Sequence, residues 1–203
     1  MLETSSLSKI IRRLIALSAL GVAATLASAQ VQESTLNFVP SQTDINFTLG
    51  DVLHTVHGTF QLKSGEIRFD PASHQISGIM VVDAASGDSG SRKRDQKMSK
   101  DVLESSRYPE VTFRPDHVDG DIVAVGTSTV QVHGMFGIHG SEHEITVPAE
   151  VELAPDHWSV AVHFKVPYVN WGMKDPSTFV LRVEKTVAID LRASGSSSRV
   201  AQR

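Results

Sequence analysis

Ile45-Asn46-Phe47-Thr48-Leu49 and Val56-His57-Gly58-Thr59-Phe60-Gln61-Leu62 decide the fold class. In the first stretch apolar Ile45, Phe47 and Leu49 alternate with polar Asn46 and Thr48; in the second, Val56, Gly58, Phe60 and Leu62 share one parity. Side chains of a strand point alternately to its two faces, so a period of two marks strands with one face buried. Outward from there, Ile67 and Phe69 follow an expected Ser64-Gly65 turn, and Asp70-Pro71 ends that strand. Further strands are expected at residues 76–82, 111–113, 122–132, 135–138, 145–151, 158–166 and 179–191, punctuated by Asp119-Gly120, Gly140-Ser141 and Pro155-Asp156. Many short strands with hairpin-length gaps predict an all-β protein, an antiparallel barrel or sandwich.

One stretch breaks the rhythm. Residues 86–106 lack the alternation and are rich in Ser, Gly and charge. A short polar helix is expected at 91–103 with Met98, Val102 and Leu103 on one side. It must stop before Tyr108-Pro109, because a residue preceding proline is pushed out of the helical region. The Ser-rich residues 193–203 are expected to be a disordered tail.

The first segment reads as a targeting signal. Lys9, Arg12 and Arg13 precede an apolar run from Leu14 to Leu26, and Ala27-Ser28-Ala29 offers the small residues of a cleavage site. The run is about a dozen residues, short of the ~20 a spanning helix needs. Residues 1–29 are therefore expected to be a signal peptide and 30–192 a single domain, which places the mature protein in a bacterial periplasm or outside the cell. Export by the twin-arginine route fits poorly with the residues after Arg12-Arg13. Losing residues 1–29 removes three basic residues and one acidic one, which leaves 16 against 22 and a net charge of −6. That acidity argues against nucleic acid as a partner. With no cysteine, stability must come from burial alone.

The residues themselves suggest three chemistries. Gly87-Asp88-Ser89-Gly90 copies the string around a serine-protease nucleophile, but a triad also needs a positioned His and Asp, and small residues in a turn-rich loop recur by chance. Among the nine histidines, His133 and His139 share strand parity, and His143 can face His139 across Gly140-Ser141, so the three form an alternative divalent-metal site. Glu150 and Glu152 are same-face neighbours, read most simply as a solvent-facing row rather than as the acid and base of a small barrel enzyme.

Several stretches in order resemble the YceI-like family of exported, lipocalin-fold proteins described as polyisoprenoid-binding. His57-Gly58-Thr59-Phe60 with Gly65, Ile67 and Phe69-Asp70-Pro71 is similar to its first hairpin. Val82-Asp83-Ala84-Ala85-Ser86, Gly90 and Arg94-Asp95 are similar to its excursion, Tyr108-Pro109-Glu110-Val111-Thr112-Phe113 to a following strand, and Ile138-His139-Gly140 with Ile145 and Val147-Pro148 to a later hairpin. The chain departs from the pattern at Lys97-Met98, where the family has His-Leu, and at residues 171–177, which replace a shorter glycine turn.

The resemblance implies an eight-stranded lipocalin-like barrel with one short helical excursion, whose apolar lumen holds an isoprenoid, quinone-like or fatty-amide chain, with no cofactor and no enzymatic activity. On that reading the lumen is lined by Phe47, Phe60, Phe69, Met80, Val82, Phe113, Met135 and Phe164, with room left at Gly58 and Gly78. The excursion forms the mouth, where Arg94, Asp95, Met98, Tyr168 and Trp171 meet the ligand. Arg92, Lys93, Arg94, Lys97 and Lys100 would face a polar or anionic head group or make transient contact with a membrane surface, and the open mouth suits a homodimer. Each buried methylene contributes roughly 0.8 kcal/mol, so such a site needs no polar motif.

Overall fold

The computed structural model describes residues 34–51, 54–70, 73–179 and 182–196. Among the described residues, nine strands follow one another: β1 (Ser34–Phe38), β2 (Thr43–Gly50), β3 (Thr55–Asp70), β4 (Gln75–Asp88), β5 (Glu110–Asp119), β6 (Gly126–Ile138), β7 (Ser141–Leu153), β8 (His157–Val166) and β9 (Val187–Ser196). Between β4 and β5 lie a short helix, α1 (Arg92–Lys97), and a π-helical turn (Met98–Val102).

The pairing closes a ring. β3 to β9 pair consecutively and antiparallel, and β9 returns to β2. β1 and β2 share one stave: β1 pairs with the second half of β3 (Phe38↔Gly65) and β2 with its first half (Ile45↔Phe60). The break between them is a 3-10 turn at Pro40–Gln42, where proline cannot donate to a ladder. The result is an eight-stave antiparallel barrel without a free edge.

Several expectations change. The Ser64-Gly65 turn does not exist, because β3 runs unbroken from Thr55 to Asp70 and absorbs its irregularity in register shifts at Thr59/Gln61 and Leu62/Ser64. A Cβ at position 65 would lie 2.8 Å from that of Phe38, so this glycine admits a neighbour rather than a turn. Gly58 and Gly78 leave no spare room in the lumen. A Cβ at 58 would sit 2.4 Å from the Phe47 ring, and one at 78, where φ is +123°, 2.0 Å from the carbonyl oxygen of Glu66. Residues 126–138 form one strand, not two, and the expected strand at 179–191 starts only at Val187. β9 also continues to Ser196, so 193–196 are wall rather than tail. Ala193 is buried there, and Gly195 makes way for Trp158, whose ring a Cβ would approach to 2.6 Å. Residues 1–29 and 197–203, expected to be signal and tail, lie outside the described residues.

The antiparallel order places the 51–54 loop, α1 with its π-turn, the 139–140 turn and residues 167–186 at one end, and the connections at 71–74, 120–125 and 154–156 at the other. In the half remote from α1, Trp158 (1% exposed) packs against Phe38 with ring centroids 4.9 Å apart. Near the α1 end, Phe136, Ile138, Val166, Tyr168 and Met173 form a second buried cluster.

Candidate functional site: an apolar lumen with a built mouth

The inward parity of each strand leaves a cavity of about 520 Å³ inside the barrel. An eight-stranded barrel is just wide enough for a packed core or one small ligand, and here the centre is open. Phe47, Phe60, Phe69, Met80, Val82, Phe113 and Phe164 all line it. Met135 does not. It lies opposite Arg114 and Glu144 on the outer wall, while Phe136 takes the inward position. The alternation Val130, Val132, Gly134, Phe136, Ile138 runs straight through His133, and restarting the count at Met135 reversed the parity. The matching inward row of β7, Ile145, Val147, Ala149 and Val151, carries the signal that could have found Phe136.

The mouth is assembled from two segments. Met98, Val102 and Leu103 of the excursion line the lumen, as the helical reading expects. A Cβ at Gly87 would lie 2.3 Å from the Met98 methyl and 2.9 Å from the Phe60 ring, so a glycine lets Met98 close over Phe60. The motif residues fold this excursion. Asp83 accepts from the Ala85 amide (2.9 Å), and Ser86 donates to the Asp83 carbonyl (2.6 Å) while accepting from the Gln61 amide (2.8 Å). Asp95 accepts from the Ser89 amide (2.9 Å) and hydroxyl, and Arg94 donates to the Ser89 hydroxyl (2.7 Å) and carbonyl (2.8 Å). Asp95 is thus a loop fastener off the cavity lining, a correction to its expected place. The same bonds occupy Ser89 of the protease-like string with a carboxylate and a guanidinium, and no histidine is among its described partners.

The second segment, residues 167–179 and 182–186, covers the opening opposite α1. Tyr168 lines the cavity and donates to the Glu184 carbonyl at 2.7 Å; burial, with Asp175 adding to it, pushes its phenol up to about 12. Lys97 donates to the Pro176 carbonyl at 3.1 Å and so links the two segments. Trp171 is off the lining, a second correction. It stacks on His143 at 4.0 Å and an interplanar angle of 6°, and meets Phe136 at 5.8 Å, closing the barrel end from outside. Asp51, Arg94 and Lys97 are the charged residues among the described lining, all at the mouth.

The structure does not bring the three histidines of the metal alternative together. His133 sits on the outer wall with Nδ1 2.6 Å from Asp116 and Nε2 3.0 Å from Glu144, so carboxylates on opposite edges take both nitrogens. Those bonds, that to Asp116 foremost, raise its pKa above the ordinary histidine range. His139 lies in the turn against Tyr108, with ring centroids 4.8 Å apart, and His143 lies under Trp171. Among the described residues no group of three or more His, Asp or Glu is placed to hold a metal. Gly140 of the same turn has φ +75°, and a Cβ there would lie 2.4 Å from the Tyr108 ring, which accounts for both the glycine and the tyrosine of the resemblance.

Comparison with known proteins agrees with this geometry. The model of the YceI-like domain matches residues 36–194. Burkholderia cenocepacia BcnA is similar in structure at a TM-score of 0.65 and 18% identity, over 78% of this chain and 99% of that one. A polyisoprenoid binding domain from Saccharophagus degradans, implicated in plant cell wall breakdown, is similar at 0.58 and 16%, over 83% and 100%. The YCEI protein of Campylobacter jejuni is similar at 0.58 and 18%, over 72% and 87%. No curated protein matches the sequence. The structural likenesses carry the fold, and the family match spans most of the barrel: the chain belongs to the family of the YceI-like domain.

Proposed function

We propose that this protein holds one long apolar molecule, an isoprenoid, quinone-like or fatty-amide chain, in its barrel and serves as a carrier rather than an enzyme. The observation that carries the reading is the lumen: a cavity of about 520 Å³, apolar along its length and charged only at its mouth. That volume lies within the range of about 300–1,000 Å³ typical of small-molecule sites. Ten methylenes transferred there contribute about 8 kcal/mol before association costs, enough for binding without a polar anchor. The polyisoprenoid binding domain from Saccharophagus degradans supports the ligand class. Arg94 and Lys97 at the mouth suit a polar or anionic head group. Such a carrier works in a bacterial periplasm or outside the cell, where an apolar chain needs shielding between lipid phases.

Titration of delipidated protein with a fluorescent isoprenyl or acyl probe tests the reading. Saturable binding at one probe per chain is expected. Phe60→Asp, at an inward position, abolishes it, and Met135→Gln, on the outer wall, leaves it unchanged, with circular dichroism confirming that both variants are folded. Absence of saturable binding by the unsubstituted protein overturns the proposal.

A further inference from the structure

Phe179 is 102% exposed, a fully solvated aromatic ring, while the other exposed large apolar residues described, Val39, Val123 and Val125, reach 40–59%. It lies on the segment from residue 167 that covers the mouth, where Tyr168, Met173 and Pro176 line the cavity. Lys97 holds this segment to α1 through the Pro176 carbonyl. Across that link lies the densest positive charge of the chain: residues 92–101 carry five basic side chains against Asp95 and Asp101, and Asp95 is already engaged by Ser89. Arg92, Lys93, Arg94, Lys97 and Lys100 are exposed. Among the described residues the ion pairs of lysine and arginine are Lys63–Glu110, Arg68–Glu66, Arg107–Glu104 and Arg114–Glu142, none of which uses these five. Exposed Lys174, Arg182 and Lys185 lie on the same rim against Asp175 and Glu184, a further net positive charge. The chain as a whole has a net charge of −4, so its charge is polarised, with the mouth positive and the remainder acidic.

We propose that the mouth docks on an anionic bilayer surface, with Phe179 inserted at the headgroup boundary and the basic residues of 92–100 in contact with lipid phosphates. Aromatic insertion beside clustered Lys and Arg is the chemistry of interfacial membrane binding, in which each basic residue near an anionic surface strengthens binding about five-fold. Docking in this orientation rests on the carrier reading for its purpose, because it sets the opening of the lumen against the lipid from which a chain would be taken or to which it would be given.

Sedimentation of the purified protein with vesicles of phosphatidylcholine alone, or mixed equally with phosphatidylglycerol, tests this. Binding to the mixed vesicles only is expected, and high salt abolishes it. Phe179→Ser weakens it about ten-fold, and Lys93→Gln with Lys100→Gln weakens it more than ten-fold. Phe179→Trp shows a blue-shifted tryptophan emission when mixed vesicles are added. No binding to mixed vesicles, or binding that neither variant changes, overturns the docking face. A dimer that Phe179→Ser dissolves, without vesicle binding, assigns the face to a second copy and overturns it too. Native mass spectrometry of the same samples separates the two readings: an empty lumen with intact vesicle binding removes the carrier and keeps the docking face, and a loaded lumen without vesicle binding does the reverse.

Discussion

Met135 and Phe136 are adjacent in sequence and belong to different surfaces, one to the outer wall and one to the lumen. Phe136 is 8% exposed and packs against Phe164 and Trp171, with ring centroids 5.8 Å away in each case. Phe136→Ala is expected to lower the unfolding free energy by about 3 kcal/mol, and Met135→Ala by under about 1 kcal/mol, as read from urea midpoints. His133 makes a second prediction. Both its ring nitrogens face carboxylates, an arrangement that needs the imidazolium to donate from each. Its pKa is raised in the fold, so its contribution is complete below the unfolded value near 6.5 and is lost as pH rises through the folded value. The difference in denaturation midpoint between the protein and His133→Gln should therefore be larger at about pH 5.5 than at about pH 8.5. His163 at 2.7 Å from Asp190 and His117 at 2.9 Å from Asp119 pair with carboxylates in the same way, whereas His57 meets the Thr48 hydroxyl and His143 stacks on Trp171. The three histidines of the metal alternative thus have separate surroundings: carboxylates at His133, the Tyr108 ring at His139 and the Trp171 ring at His143.

At the scale of elements, the period-two reading is sufficient wherever a strand is regular. It places Phe47, Phe60, Phe69 and Phe113 inward, while the helical reading of the excursion sets Met98, Val102 and Leu103 on one side. The period-two reading fails where a glycine inside a strand has the signature of a turn. Gly65 sits inside β3 to admit Phe38, a contact between residues far apart in sequence that no local pattern reports. It fails again at 179–186, where apolar residues look like a strand but the ladder to β8 begins only at Val187. The mouth is legible only as an interruption: Asp95 fastens its loop to Ser89, six residues away, and Trp171 stacks on His143 of β7, and neither contact leaves a periodic signature. Lys97 to the Pro176 carbonyl and Tyr168 to the Glu184 carbonyl are among the ties of this mouth, beside the Glu184 amide to the Gly50 carbonyl (2.9 Å) and the Asp51–Val183 bridge. Tyr168→Phe should cost about 1 kcal/mol of stability. Lys97→Met should leave the unfolding midpoint nearly unchanged yet speed release of a bound probe several-fold in stopped-flow displacement, because an exposed tie contributes little to the global fold and acts directly on the opening.

For the whole molecule, closure of the sheet and openness of the lumen belong together. Among the described residues the ring leaves no strand edge for aggregation, and the stability of a chain without cysteine comes from its packed clusters, Phe38 with Trp158, Phe69 with Val118 and Val130, and Phe136 with Tyr168 and Met173. Between them the side chains stop short of the barrel axis and leave about 520 Å³ unfilled. An apolar void of that size forfeits packing that a solid core would have, a cost consistent with a space kept for an occupant. Native mass spectrometry of protein purified from a periplasm, followed by solvent extraction, tests this most directly. The account predicts a stoichiometric mass excess that extracts as a single prenyl or acyl chain; protein that emerges at the mass of its polypeptide alone, and stays so after incubation with prenyl and acyl lipids, would contradict it.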